Sequence, residues 1–174
     1  PHWMSGQEVA LRLLAFAWSD PVFAAAKAST PERRARLARS VAAHARRIPS
    51  TLVYARSQHN NHLLSEAAGL LTAGLALRDL PEAARWRSLG WRWLNHGFQT
   101  QIDGYGEYTQ HSTNYHRLML HLALWTDGML RRQGLHWPRP TAAALGRATH
   151  WLLALLDPVS GRVPNLGAND GARL

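Results

Sequence analysis

An all-α fold of antiparallel helical hairpins is what this sequence predicts, on three observations. Apolar residues recur at three- and four-residue intervals along most of the chain. Alternating β-branched runs, the mark of half-buried strands, are almost absent. Helix-start signals recur with mostly short connections between them, which makes neighbours antiparallel. With 174 residues, 46% of them hydrophobic, the chain has the size of one domain and can bury a core.

The elements follow in order. A first helix is expected over 8–18, with Val9, Leu13 and Phe16 near one face. Ser29 and Glu32 have capping-box spacing and Pro31 suits an early helical position, so a second long helix runs from there to about Arg47, where Pro49 ends it. A third follows Asn61 and carries Leu63, Leu64, Ala67, Leu70 and Leu71 to about Leu77. Asp79, Pro81 and Glu82 supply a cap acceptor, a first-turn proline and a dipole-favoured acid, starting a fourth helix that reaches about Phe98. After a polar loop over 103–111, a fifth helix begins near Ser112 or Thr113, carries Tyr115, Leu118, Leu122 and Trp125, and ends by Gly134. Pro138 and Pro140 lead into a last helix over 141–156, and a loop with Pro158, Gly161 and Pro164 follows.

Eight tryptophans punctuate this pattern. In the fourth helix Trp86, Leu89 and Trp93 share one face, and Trp91, Leu94 and Phe98 share another. Apolar residues on two faces place a helix between layers, so packing is the assignment for these rings rather than sugar stacking.

The formal net charge is +9. A strongly basic surface concentrates polyanions, whether nucleic acid, anionic lipid or acidic polysaccharide, and does not choose among them. The absence of cysteine removes disulfides, thiol catalysis and thiolate metal sites. No apolar run approaches the ~20 residues of a membrane span; the stretch 118–124 is interrupted by His121. The first residues lack the basic start and apolar core of a secretory signal, and the chain reads as an excerpt that opens and closes in mid-sequence.

Two polar clusters sit at helix starts. One is Gln58-His59-Asn60-Asn61-His62; the other runs from Asp103 through Gln110, His111 and Ser112 to Tyr115 and His116. Asn, His, Tyr and Gln are side chains that bind a carboxylate and move a proton, although each cluster alone also suits capping. Other chemistries fit less well. His111, His116 and His121 are spaced by five and do not share a helix face, and HExxH and CxxC are absent, so no metal is expected. The Gly104-x-Gly106 pair follows no predicted strand, which argues against a nucleotide loop, and no Ser-His-Asp triad is readable.

Four segments, in order, resemble the motifs of the heparinase II/III N-terminal domain: Asn60-Asn61-His62-Leu63-Leu64-Ser65-Glu66; Asp103-Gly104 through Gln110; Ser112-Thr113-Asn114-Tyr115-His116; and Val163-Pro164-Asn165-Leu166-Gly167-Ala168-Asn169-Asp170-Gly171. The opening His2-Trp3-Met4-Ser5-Gly6 and Arg12 also resemble its start. The resemblance, shared with alginate-lyase-like relatives, covers essentially the whole chain. It implies that residues 1–174 form part of an incomplete α/α toroid, followed in the family by an antiparallel β-sandwich domain absent from this chain, with the active cleft between the two. Six helices are fewer than such a toroid normally holds, so the active site of the chain alone is expected to be incomplete.

By the same resemblance, the activity is cleavage of a uronate-containing acidic polysaccharide by β-elimination, without cofactor. Asn61 would hold the uronate carboxylate, His62 would assist as charge neutraliser or base, and Tyr115 would shuttle the proton. Asn60, Gln110, His116, Asn169 and Asp170 would bind substrate or support the site. His116 and Arg117 are expected to help lower the pKa of Tyr115, since a free phenol near ~10 is a poor base at neutral pH. Location would be the bacterial periplasm or the exterior. Three alternatives stay open: a basic helical module that binds acidic glycan without cutting it, a nucleic-acid-binding domain, and a glycoside hydrolase, which would need two facing carboxylates.

Overall fold

The computed structural model describes residues 5–169. Among them are six helices: α1 (Gly6–Phe23), α2 (Pro31–Gln58), α3 (Asn61–Ala76), α4 (Ala83–Gln101), α5 (Thr113–Arg131) and α6 (Arg139–Ala154). Among the described residues there is no strand, only an isolated antiparallel bridge between Ile102 and Tyr108 that closes the loop before α5. Successive helices pair as hairpins, α1 with α2, α3 with α4 and α5 with α6, and α3 also packs on α1, α2 and α5. The architecture is an incomplete α/α toroid.

The reason α3 lies at the centre is legible in its composition. Every residue from Leu63 to Leu75 is buried, and most are Leu, Ala or Gly, so neighbours can approach on all sides. A Cβ on Gly90 of α4 would lie 2.4 Å from the Leu71 backbone nitrogen, and one on Gly74 would lie 2.5 Å from that of Arg87. The α3–α4 pair is therefore in backbone contact, which only hydrogen at these positions permits. Where α3 meets α5, the buried Thr72 hydroxyl accepts from the Trp125 indole at 2.8 Å.

The tryptophans pack as the two-faced pattern of α4 requires. Trp86 and Trp93 are buried. Trp91 stacks on Trp137 with centroids 5.3 Å apart, and Phe98 meets the same Trp137 edge-on at 5.7 Å.

Four boundaries differ from the sequence expectation; one is the start of α4, which lies at Ala83 after Glu82, so that Asp79 does not cap it and Pro81 stays outside the helix. Pro49 does not end α2, which continues to Gln58. The apolar stripe Ala45, Ile48, Leu52 and Ala55 stays in phase across the proline and is buried throughout. Burying two large aliphatic side chains is worth about 1.5–3 kcal/mol each, enough to offset the ~3 kcal/mol of an interior proline. Pro21 is likewise absorbed, and α1 reaches Phe23 instead of stopping at Trp18. The cap of α2 is Thr30, whose hydroxyl accepts the Arg33 N–H, while the Ser29 hydroxyl donates to the Phe23 carbonyl. A Ser-Thr pair offers two caps one residue apart, and spacing to Glu32 alone selected the wrong one.

Candidate active site

The hairpin order brings the starts of α3 and α5 to the same end of the array. Asn60 caps α3, its side-chain oxygen accepting the His62 N–H at 3.0 Å, and its amide donates to the Gln58 side chain at 3.3 Å. The tight reversal before it needs His59 in the left-handed region, at φ 48°. Ser112 caps α5 by accepting the Tyr115 N–H at 3.2 Å. Between these caps, the Gln110 side-chain oxygen accepts the Asn61 N–H at 3.1 Å. The two polar clusters thus form one assembly. Each helix start carries about half a positive charge from its aligned peptide dipoles, so this end is predisposed to bind an anion.

Asn61 is buried, while His62 and Tyr115 are half-buried, each within the first turn of its helix. Burial holds His62 below its ordinary value, so the ring is neutral at pH 7 and has both a donor and an acceptor nitrogen. Tyr115 packs partly against the core of hairpins. Its neighbour Asn114 is buried, donating to the Asn169 carbonyl at 3.4 Å and accepting from Arg117 at 3.3 Å.

The closing loop becomes a strap over the start of α5. Thr113 donates its backbone N–H to the Leu166 carbonyl at 3.0 Å and its hydroxyl to the Pro164 carbonyl at 2.8 Å, and Ser112 donates its hydroxyl to the Ala168 carbonyl. Gly167 makes this docking possible: its φ is +73°, and a Cβ there would lie 2.1 Å from the His111 carbonyl oxygen. Asn169 is carried to the α5 start in this way. Asp170, the last residue assigned to the site from sequence, lies outside the described residues.

His116 is placed differently from the expectation. It is 1% exposed and faces α6, with Nε2 at 2.9 Å from the Ala148 carbonyl and its ring stacked on Trp151 at 4.7 Å. A carbonyl only accepts, so Nε2 carries the proton, and burial keeps the ring's pKa below its usual value. Neutral and turned inward, His116 faces α6 rather than the helix starts and offers Tyr115 no cation. It joins α5 to α6 beneath the site.

Two further residues define the site's surroundings. Tyr108, in the loop before α5, is buried and donates to Gln101 at 3.0 Å; burial pushes its phenol far above the usual range, which makes it structural. Glu66 had no role assigned from sequence. It stands four residues after His62, on the same face of α3, is 1% exposed, and accepts the Thr51 hydroxyl of α2 at 2.9 Å. Its carboxyl also fills the space where a Cβ on Gly6 would fall, 2.2 Å from Oε1, at the start of α1. The sequence signal was present: Glu66 is the lone acid in an otherwise apolar and small-residue run. Among the described residues, no group of three or more His, Asp or Glu side chains is arranged to hold a metal ion, and no helix is long and apolar enough to cross a membrane.

Stacked helical hairpins, with the starts of α3 and α5 together at one polar end, define the class: an α/α-toroid domain. The family follows from comparison. The model of the heparinase II/III N-terminus matches residues 3–161, and the chain belongs to that family. Among solved structures it is similar to a heparinase III, with TM-score 0.74 and 21% identity over 88% of this chain and 23% of that one. It is also similar to a heparan sulfate lyase from Pedobacter heparinus, with TM-score 0.64 and 23% identity over 91% of this chain and 24% of that one. The chain thus spans about a quarter of the length of these structures. No curated protein matches it in sequence.

Proposed function

We propose that this chain is the helical part of a polysaccharide lyase that cleaves a uronate-containing acidic glycan by β-elimination. The observation that carries the reading is the Gln110–Asn61 hydrogen bond, which joins both polar clusters beneath two helix starts. A β-sandwich domain beyond this chain completes the cleft. The solved relatives include a heparan sulfate lyase, and a sulfated or carboxylated glycan of that kind is the substrate class that suits the +9 charge. Work on such a glycan would place the protein in the periplasm or outside the cell.

In the reaction the C5–H bond of the uronate breaks, its electrons form the C4=C5 double bond, and the C4–O bond electrons leave with the glycosidic oxygen. The C5 proton is weakly acidic while the adjacent carboxylate bears its full charge. Asn61, backed by the dipoles of α3 and α5, takes up that carboxylate and stabilises the enolate as it develops. Neutral His62 donates to the carboxylate. Deprotonated Tyr115 takes the C5 proton and, now a phenol, delivers it to the leaving oxygen, which returns Tyr115 to its starting state. Asn60, Gln110, Asn169 and Asp170 bind the flanking sugar or fix these groups.

The test is to incubate the full-length protein carrying this chain with a panel of uronate polysaccharides and follow the ultraviolet absorbance of the conjugated product. Absorbance that rises for at least one of them supports the lyase. Binding without absorbance across the panel would instead support a glycan-holding module.

A further inference from the structure

A second feature lies outside the two helix starts, in the groove between α2 and α4. Two hollows of about 400 and 230 Å³ share Val53, Arg56 and Trp93 and so adjoin along one open channel. The Arg56 guanidinium lies over the Trp93 ring at 4.1 Å from its centroid, and that of Arg92 lies 4.9 Å from the same ring. His96 meets this ring edge-on at 5.4 Å, and Arg85 lines the channel further along.

Acids are scarce on the two helices that carry these cations. α4 contains no acid, α2 contains only Glu32 in its first turn, and Glu82 at the head of α4 is taken by Arg46 at 2.9 Å. Among the described residues, Arg56, Arg85 and Arg92 form no ion pair. Two like charges drawn to one indole repel each other, and a bound anion relieves that repulsion.

Resting on the lyase reading, we propose that this groove is a second subsite, which grips the carboxylate or sulfate groups of the same acidic glycan beyond the reacting sugar. Continuity supports it: Leu63, the residue after His62, lines the channel, and Arg56 and Ser57 stand four and three residues before the Asn60 cap. A glycan leaving the helix starts would enter the groove directly. Nucleic acid fits less well, because Trp93 is buried beneath the arginines and leaves no open ring for a base.

The experiment titrates the full-length protein with a heparan sulfate disaccharide and dodecasaccharide over a series of NaCl concentrations, for the parent and for Arg56→Ala/Arg92→Ala. Both arginines are exposed, and a melting curve confirms the fold. The variant should bind the dodecasaccharide about tenfold more weakly, with the slope of log Kd against log [NaCl] reduced by about two, while disaccharide binding is unchanged. Unchanged dodecasaccharide affinity in the folded variant, or an equal loss for both sugars, overturns the subsite. So does single-stranded DNA of matched charge that binds as tightly and is equally weakened. Product absorbance, read in parallel, separates the two claims: dodecasaccharide gripped through Arg56 and Arg92 but never cleaved defeats the lyase and leaves the groove standing.

Discussion

Gln110 accepts the backbone N–H of Asn61 at 3.1 Å, across 49 positions of sequence. The bond ties the loop before α5 onto the first turn of α3, adding to the packing of α3 on α5 in setting where Asn61 lies relative to the α5 start.

Removing that side chain should loosen the site more than the fold. Gln110→Ala leaves one half-buried N–H without its protein partner, a loss of about 1 kcal/mol, and should lower the melting temperature slightly while reducing kcat/KM by about tenfold. Gln110→Glu is the informative companion. A carboxylate still accepts the N–H and is favoured at a helix start, so stability should be kept, whereas the added charge should repel an anionic substrate and raise KM. Thermal melts with kinetics on both variants check this; Gln110→Glu with unaltered KM would remove Gln110 from the anion's path.

Tyr115 and Tyr108 make a matched pair for separating chemistry from structure. Tyr115→Phe should abolish unsaturated product with little change in melting temperature. Tyr108→Phe breaks a buried bond to Gln101 and should lower stability by about 1 kcal/mol with activity retained in the folded protein. The reverse pattern, measured by absorbance and melting on the same preparations, would exchange their roles.

The strap predicts a different kind of failure. Gly167→Ala adds a Cβ 2.1 Å from the His111 carbonyl oxygen at a φ of +73°, so residues near 167 must lift off α5. Strain of this sort costs about 1–3 kcal/mol and here falls on the strap rather than on the hairpins. Limited proteolysis should cut the variant near the strap at protease levels that spare the parent, while the global melt shifts less. A melt that collapses, with no new cleavage site, would mean that the strap is integral to the core.

Much of this was legible before the structure. Helix periodicity located all six helices, because an apolar stripe is a local property of the sequence. Ser112 read correctly as a helix-start residue for the same reason, while the cap of α3 is Asn60, one residue before the Asn61 expected to precede that helix. What was not legible is direction. His116 carries the same local signature as Tyr115, yet one residue of helix rotates it by about 100°, onto Ala148 and Trp151 of α6, a partner that no local pattern names. Pro49 failed in the same way, since the burial that overrides it is made by other helices. Glu66 was visible as an isolated acid, but its partners, Thr51 and Gly6, come from α2 and α1.

Glu66 supplies the last prediction. Burial raises its carboxyl to about 7, with the Thr51 hydroxyl pulling the other way, and the α1 start at Gly6 also favours the anion. Because the folded value exceeds the unfolded one near 4.5, the folded state holds the proton more tightly. The stability this contributes is complete below pH 4.5 and is lost as pH rises through 7. At 1.36 kcal/mol per unit, less the part offset at the α1 start, the loss is on the order of 2 kcal/mol. Glu66→Gln keeps the shape and cannot ionise. Relative to the parent it should therefore be about equal at pH 4.5, gain stability between pH 5 and 7, and level off above that. Denaturant unfolding of both proteins across that range decides the matter: parallel pH profiles would mean that Glu66 is ionised throughout, held by the helix start rather than protonated by burial.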